Sequence, residues 1–428
     1  MKFTAVLLPL LYNCINSCKM VNAILSIILI WNAIQFGLVC SDAKLPAFNS
    51  MQNRLALDAL KSKSGQNAVV STLFVKFPLC KLATVAVGEA KQELLSVLGY
   101  KTDGSIKTCY TEMKEVFDFL KQADLTLVNK MYVNYTNDIK PDFITNSSLL
   151  YGVQVEKVGF NYPSAAQSFI NRWIETATYK RIKDVVDKKD IDKNTTMILV
   201  NAAHFKLSWE FPFDQRMTVN KKFTQYNKKK ITIPMISKVD QFLYGDDEAN
   251  DLRMLTYYLG AWGTAITYVM PNSAQDLPGF LDKLQKKPDL LAPSKKLMQW
   301  TRLKVFLPRL KIKSHVDWTE FLKLLGLNKI FNNASSGLEE ILQKNSRTKN
   351  IWLSKVKQKV FVEMDEMGVA RHDRHLPDQE YMQRIMMGPG INILEFAADR
   401  PFYFVISISL GSTSHDVFNG VYYGPELN

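Results

Sequence analysis

The sequence has few of the residues on which enzyme and metal chemistry depends. Only five of its 428 residues are histidine and five are cysteine. It contains no GxxxxGK phosphate loop, no HExxH, no paired CxxC and no GxSxG nucleophile elbow. One close histidine pair, His372 and His375, has no third ligand of clear role nearby. We therefore expect no metal, no cofactor and no enzymatic activity.

The sequence also lacks features that would divide it into several domains. It has no low-complexity stretch, no linker rich in proline, glycine or serine and no internal repeat in the body of the chain. Segments with helical spacing alternate with apolar, strand-like runs, which favours one mixed α+β domain. The predicted helices are Leu55–Leu60, Leu82–Leu98, Phe169–Thr178 and Trp318–Leu325. The predicted strands include Met197–Val200, Ala265–Met270, Phe402–Ile408 and Val417–Tyr423, and Phe223 to Met235 is predicted to form two strands around Asn227-Lys228.

The beginning of the chain has the pattern of a secretory leader. Lys19 precedes 19 uncharged residues, Val21 to Val39, and a cleavage point after Ser41 places small side chains where they are needed. We expect residues 1–41 to form a signal peptide and residues 42–428 the mature, exported domain. Cleavage one residue earlier, a start at Met20 and an uncleaved membrane anchor are the alternatives. We favour cleavage and expect no stable membrane anchor.

Export from the cell would expose the cysteines of the mature chain to an oxidising compartment and its sequons to the glycosylation machinery. Three of the five cysteines lie in the leader, which leaves Cys80 and Cys109 either to pair as a disulfide or to remain as buried thiols.

The leader holds two lysines and no acidic residue, so the net charge of +13 falls to about +11 in the mature chain. This charge favours a polyanion such as a glycosaminoglycan as a partner, whereas nucleic acid is not expected outside the cell. The candidate glycosylation sites are Asn134, Asn146, Asn194 and Asn333.

One long motif resembles the signature of a known family. Asn201 to Asp214 (NAAHFKLSWEFPFD), followed by Thr218 and Phe223, resembles the central strand and buried Trp of the serpins. Other blocks resemble the family's remaining elements in the same order, and together they cover residues 45 to 425. These blocks are Asn67–Ser71, Asn129–Val133, Ile170–Thr178, Val305–Ile312, Leu325–Phe331, Phe396–Phe404 and Phe418–Gly420.

The resemblance implies one α+β domain with a large sheet, helices on one side and an exposed loop. Family inhibitors present this loop as bait to an extracellular serine protease. After cleavage and formation of the acyl-enzyme, the freed loop inserts as a new strand of the main sheet and distorts the protease. The resemblance therefore implies a protease partner, a monomeric chain and inhibition that depends on strand insertion.

The hinge of this loop departs from the inhibitory pattern. Glu366 and Gly368 match its opening, but charged or polar residues stand where inhibitory members carry small ones. Small residues are needed because an inserted strand buries every second side chain. Here both faces carry charge, and an unpaired buried ion costs on the order of several kcal/mol. One face would present Val369, Arg371, Asp373 and His375, and the other Ala370, His372 and Arg374.

Two further features of the resemblance concern the same loop and sheet. The family's spacing from Glu366 places the scissile bond at Met382-Gln383, with Arg384-Ile385 as the rival in a loop that is longer than usual. A family Ser-Pro-x-Ser at the start of the second helix is replaced by Ser71-Thr-Leu-Phe74, and its partner His by Gln358. In the family, these residues belong to a polar network under the main sheet. The substitutions either disrupt this network or repack the region without effect.

Three functions follow from these features. The charged hinge favours a non-inhibitory protein with a binding, carrier or signalling role. The alternative is a working protease inhibitor with Met382 or Arg384 as its bait residue. A polyanion binder is the third, and its basic residues would be Lys221, Lys222 and Lys228 to Lys230, with Lys180, Arg181 and Lys183 elsewhere.

Overall fold

The computed structural model describes residues 47–101, 106–121, 125–206, 208–260, 263–273, 276–367, 393–411 and 413–425. Helices and strands are interleaved within these ranges, as the sequence predicts. None of the described helices is both long and apolar enough to cross a membrane. The α-helices are α1 (Ala47–Lys61), α2 (Thr72–Ala83), α3 (Gly88–Leu98), α4 (Ile106–Leu120), α5 (Pro141–Tyr151), α6 (Pro163–Ala177), α7 (Leu277–Lys286), α8 (Leu291–Lys296) and α9 (Trp318–Leu324).

The described strands form two sheets. The smaller has five strands in the order β10-β11-β4-β2-β3, and the larger has nine, with β5 attached to β6 beside the path β1-β14-β13-β8-β7-β6-β9-β12. The strands are β1 (Ala68–Val70), β2 (Leu125–Asn134), β3 (Val153–Val158), β4 (Met197–Lys206), β5 (Val219–Thr224), β6 (Lys230–Asp247), β7 (Leu252–Tyr258), β8 (Thr264–Pro271), β9 (Gln299–Pro308), β10 (Leu310–Asp317), β11 (Leu353–Met364), β12 (Leu394–Ala397), β13 (Phe402–Leu410) and β14 (Thr413–Tyr422).

The predicted helix Leu82–Leu98 is wrong as a single element, because the structure divides it between α2 and α3. Val87 is extended, with φ of −126°, and its N–H donates to the carbonyl of Gly337 at 2.9 Å. Gly88 then begins α3 with φ of +58°, a conformation that favours glycine. The apolar spacing continues across this break because both helices pack on the same core.

The five-stranded sheet has a different apolar core on each face. Leu199 and Ala203 of β4 point into the main core, which we call the inner side of the sheet. Val200 and Ala202 point to the opposite, outer side and pack with buried residues of α6. Successive strand residues face opposite sides, so β4 must be apolar on both faces. This burial explains why the run at its start contains no polar residue.

Candidate functional site

The boundary between β4 and β11 is the part of the sheet on which the predicted function depends. The two strands are parallel neighbours, with Met197 opposite Leu353 at one end and Lys206 opposite Glu363 at the other. We call this boundary the seam. The hinge follows β11 directly, so an inserting loop would enter the seam at the Glu363 end.

The inner side of the seam is largely apolar. Leu199 and Ala203 line it from β4, and Val360 and Val362 line it from β11, and all four are almost completely buried. None of these side chains can pair with an ion. A charged residue placed between them would lose its hydration without compensation.

A buried amide network crosses the seam at Gln358. Its Oε1 accepts from the Ser71 N–H at 3.0 Å, and its Nε2 donates to the Ser71 carbonyl and to Asn201 Oδ1, both at 2.7 Å. Asn201 in turn donates to Asn129 Oδ1 on β2 at 2.5 Å. A polar network is therefore present despite the substitutions at Phe74 and Gln358. In it, the glutamine amide links β11, β4 and the residue before α2.

Phe74 is accommodated by aromatic packing beside this network. Its ring lies edge-on to Phe418 at a centroid distance of 5.4 Å and is stacked with Phe77 at 6.2 Å. Ser71 still caps α2, since its hydroxyl accepts from the Phe74 N–H at 3.4 Å. The phenylalanine thus repacks the start of α2 without removing its cap.

Glu366 is held firmly where the chain leaves the seam. Its buried carboxylate accepts from Arg309 Nε at 3.1 Å and from the Thr218 hydroxyl at 2.6 Å. Burial alone would raise the pKa of Glu366, but the hydrogen bonds from Arg309 and Thr218 lower it. The indole N–H of Trp209 also donates to the carbonyl of Asp365 at 2.7 Å.

The role of Arg309 at Glu366 was not predicted. The two residues are 57 positions apart, and Thr218 is 148 positions from Glu366. Only the pairing of β10 with β11, which places Leu310 opposite Met364, brings the guanidinium to the carboxylate. No local spacing in the sequence signals this contact.

Most of the predicted loop residues lie outside the described part of the chain. These are the hinge residues Gly368, Val369, Ala370, Arg371, His372, Asp373 and Arg374 and both candidate scissile bonds, Met382-Gln383 and Arg384-Ile385. Their functional assignment stays a prediction. Among the described residues, no group of three His, Cys, Asp or Glu side chains is placed to hold a metal ion.

The four candidate glycosylation sites differ in exposure. Asn146, Asn194 and Asn333 are exposed. Asn134 is only 6% exposed, and its Nδ2, the atom that a glycan would occupy, donates to the Thr195 carbonyl at 3.2 Å. The prediction at Asn134 is therefore in conflict with the structure, because the folded chain cannot hold a glycan there without breaking this contact.

Cys80 and Cys109 form a disulfide. It joins α2 to α4 across a sequence separation of 29 residues, with a Cα–Cα distance of 6.6 Å. Both side chains are almost fully buried. The alternative of two free thiols does not apply to this structure.

The predicted basic residues fall into two separate groups. Lys222 and Lys228 to Lys230 are exposed on the β5–β6 hairpin of the larger sheet, where Lys221 pairs with Glu395 at 3.3 Å. Lys180 and Arg181 are exposed after α6, and Lys183 pairs with Glu175 at 2.8 Å. The hairpin therefore holds the larger group of basic side chains for which no acidic partner is described.

Comparisons with known proteins identify the class. A family model described as Serpin (serine protease inhibitor) matches residues 48–425, and the chain therefore belongs to the serpin family. Serpins are protease inhibitors rather than enzymes. The family and the α+β fold predicted from the sequence are confirmed.

Individual relatives are moderately similar along most of their length. Alaserpin of Manduca sexta is 30% identical over 354 residues, which cover 82% of this chain and 87% of that protein. Antitrypsin of Bombyx mori is 27% identical over 369 residues, covering 86% of this chain and 91% of that protein. The crystal structure of native protease nexin-1 with heparin shares the fold, with a TM-score of 0.75, 23% identity and coverage of 89% and 98%.

Proposed function

We propose that this serpin is secreted, that it does not inhibit proteases by loop insertion, and that it has a binding, carrier or signalling role. The observation that carries the proposal is that the sequence of the hinge is charged from Arg371 to Arg374, whereas the inner side of the seam is apolar. Leu199 and Val360 would contact the inner face of an inserted strand. Whichever register the hinge adopted, at least one charged side chain would enter this environment.

Slow insertion is sufficient to abolish inhibition. The acyl-enzyme is trapped only if the loop enters the sheet before water hydrolyses the ester. A loop that must bury an ion enters slowly, because an uncompensated buried charge costs several kcal/mol in the transition state as well as in the product. The protein then behaves as a substrate of the protease that cleaves it.

The proposed secretion of residues 42–428 after removal of residues 1–41 has separate support. The disulfide between Cys80 and Cys109 is a bond typical of oxidising compartments. The sequons at Asn146, Asn194 and Asn333 are accessible to the glycosylation machinery of the secretory pathway. Mass spectrometry of the secreted protein should find Asp42 as its first residue.

Incubation with chymotrypsin-like and trypsin-like proteases tests the proposed function. We expect cleavage near Met382 or Arg384 and no complex that survives SDS. The matched variant replaces Arg371, His372, Asp373 and Arg374 with alanine, and it should form some stable complex because its inserted strand is uncharged. An SDS-stable complex of the unchanged chain would show that it is a working inhibitor.

The inhibitor alternative is favoured by one specific observation. Both polar atoms of the Gln358 amide are hydrogen-bonded, so the sheet beneath the seam retains buried polar contacts on both strands. The relatives reported above also carry inhibitor names, Antitrypsin among them. The same incubation distinguishes this alternative, since only the inhibitor yields a covalent complex.

Polyanion binding is a second candidate function, favoured by the exposed lysines of the β5–β6 hairpin. The solved structure of protease nexin-1 contains heparin, but it is related to this chain only in fold. If Lys222 and Lys228 to Lys230 bind a sulfated polysaccharide, replacing them with glutamine should lower the salt concentration needed for elution from heparin. Elution of the unchanged chain at low salt would argue against this function.

A further inference from the structure

The connection between α6 and β4 lies over the outer side of the seam. Residues 178–191 of this connection, which we call the strap, follow α6 directly. Ile182, Val185 and Val186 of the strap are buried in the same cluster as Val200 and Ala202 of β4. The same cluster includes Phe361 of β11, so the strap shares one apolar cluster with both strands of the seam.

Hydrogen bonds also fix the strap to α6. Asn171 of α6 accepts from the backbone N–H groups of Val185 and Val186 at 3.0 Å and donates to the Val186 carbonyl at 2.9 Å. The strap, α6 and β4 are thus joined by apolar packing and by backbone contacts. The chain also runs from the strap into β4, which begins at Met197, so a movement of β4 away from β11 would pull the strap away from Phe361 and the rest of β11.

Two lysines of β11 reach across the seam to the strap. Lys357 Nζ lies 2.8 Å from Asp190 Oδ2, and the two side chains are only 4% and 5% exposed. Lys359 Nζ donates to the Lys183 carbonyl at 2.6 Å and lies 3.4 Å from the Asp184 carbonyl. Lys357 and Lys359 thus connect the β11 side of the seam to the β4 side.

Asp190 is held in position for this contact. Its Oδ2 accepts from the Asp187 N–H at 2.9 Å within a short capping box. On the other side, Lys357 also lies 3.4 Å from Asp317 Oδ2 of β10. The buried ammonium group is therefore placed between one carboxylate on each side of the seam.

Opening the seam would separate this ion pair. A new strand needs β4 and β11 to move apart by about 4.8 Å, the spacing between neighbouring strands. The Lys357 side chain cannot follow Asp190 over that distance and also keep its contact with Asp317. Asp190 would then be left buried without its counterion, a state that is strongly unfavourable.

We infer that the Lys357–Asp190 pair is a clasp that holds the seam closed and slows the entry of an additional strand. Lys357 lies opposite Val200, six positions from Glu363, where a strand would enter. The clasp therefore acts on completion of insertion rather than on its first step. This inference rests on the proposed function, because a serpin that does not use insertion has no need of a seam that opens.

Annealing of an added peptide tests the clasp without involving the protein's own loop. The probe is an acetylated, alanine- and threonine-rich peptide of 12 residues, the length of β11. The full chain is incubated with it, and the one-to-one complex is followed by native electrophoresis and mass spectrometry. The test variant is Lys357→Met with Asp190→Asn, which removes both charges and keeps an acceptor for the Asp187 N–H.

The control removes an ion pair that does not cross the seam. Lys130 of β2 and Glu156 of β3 pair at 2.5 Å on the same sheet, with side-chain exposures of 6% and 36%. We expect the Lys357→Met/Asp190→Asn variant to anneal peptide about tenfold faster than the unchanged chain. Lys130→Met/Glu156→Gln should anneal at the unchanged rate. The inference would be overturned if both variants annealed the peptide equally fast, or if neither annealed it faster than the unchanged chain.

Two further measurements guard against a variant that does not fold. Lys357→Arg keeps the charge and should keep the slow annealing rate. Asp190→Asn alone should increase amide hydrogen exchange of β4 and β11, whereas Glu156→Gln should not. If cleavage of the unchanged loop makes the protein more heat-resistant, the proposed function fails. The rates of peptide annealing still test the clasp independently of that result.

Discussion

The guanidinium of Arg309 donates three hydrogen bonds to the carboxylate of Glu366 where the chain leaves β11, two from Nε at 3.1 Å and one from Nη2. Glu366 is buried, whereas Arg309 is 48% exposed. The pair joins the start of the loop to β10. Since Thr218 also donates to Glu366, the carboxylate is stabilised in its ionised form.

Replacing Glu366 with glutamine should lower the free energy of unfolding by about 1–3 kcal/mol at pH 7. The pKa of Glu366 lies below its ordinary value of 4.5 in the folded chain, so the stabilisation is complete above that pH. It is lost as the pH falls through the lowered pKa. Urea unfolding at pH 7 and at stepwise lower pH measures this.

The matched control for this prediction is Glu395→Gln, which removes the exposed partner of Lys221. A surface pair of this kind contributes about 0–1 kcal/mol, so the control should change little at any pH. The two variants should therefore differ most at neutral pH and converge in acid. A Glu366→Gln variant as stable as the unchanged protein at pH 7 would contradict the prediction.

Cleavage of the loop near Arg384 should leave the melting temperature nearly unchanged. The charged residues from Arg371 to Arg374 oppose insertion, so the cut loop gains no ladder hydrogen bonds. Replacing these four residues with alanine should raise the melting temperature after cleavage by about 10 °C. Calorimetry of cut and uncut protein measures the difference, and alanine at Lys228 to Lys230 serves as the control.

Gln358→Leu should destabilise the protein by about 2–4 kcal/mol, because it leaves both backbone groups of Ser71 buried without a partner. Asn201→Leu should lower the free energy of unfolding less in the Gln358→Leu variant than in the unchanged chain, since Asn201 has already lost one partner in that variant. The half-buried Gln343 provides the control, and Gln343→Leu should cost about 1 kcal/mol or less. Additive effects at Gln358 and Asn201 in denaturant unfolding would argue that the amides act independently.

Replacing Cys80 and Cys109 with alanine should lower the stability by about 2–4 kcal/mol. Dithiothreitol should destabilise the unchanged protein by a similar amount and leave the double variant unaffected. Thiol titration of the unfolded mature chain should find no free cysteine before reduction, since the remaining three precede Ser41. A reactive thiol in that titration would contradict the disulfide or the cleavage point.

Glycosylation should follow the exposure of the asparagine side chains. Replacing Asn146, Asn194 or Asn333 with glutamine should each remove the mass of one glycan from the secreted protein. Asn134→Gln should leave the mass of attached glycan unchanged and lower the stability, because Asn134 is hydrogen-bonded and buried. Peptide mapping after glycosidase treatment decides each site, and a glycan at Asn134 would contradict the structure.

The fold and the location of the site could be predicted from the chain because their signals are local. The motif from Asn201 to Asp214 and the apolar run at Met197 both identify β4, and the run after Glu366 carries the hinge. Apolar periodicity predicted α9 well, since the side chains that make a helix amphipathic lie three and four positions apart. It did not predict the break at Gly88, because two helices on one core share a continuous apolar pattern.

The sequence by itself determined the family, the alternation of helices and strands and the charge of the hinge. Only the tertiary structure decided which side chains meet at the seam. Lys357 and Asp190 are separated by 167 positions, and nothing in either neighbourhood indicates a buried ion pair. The same holds for Arg309 and Glu366 and for Asn134, whose sequon resembles the three exposed ones. The physical reason is that burial and ion pairing depend on which strands become neighbours, and strand pairing joins residues that are far apart in the chain.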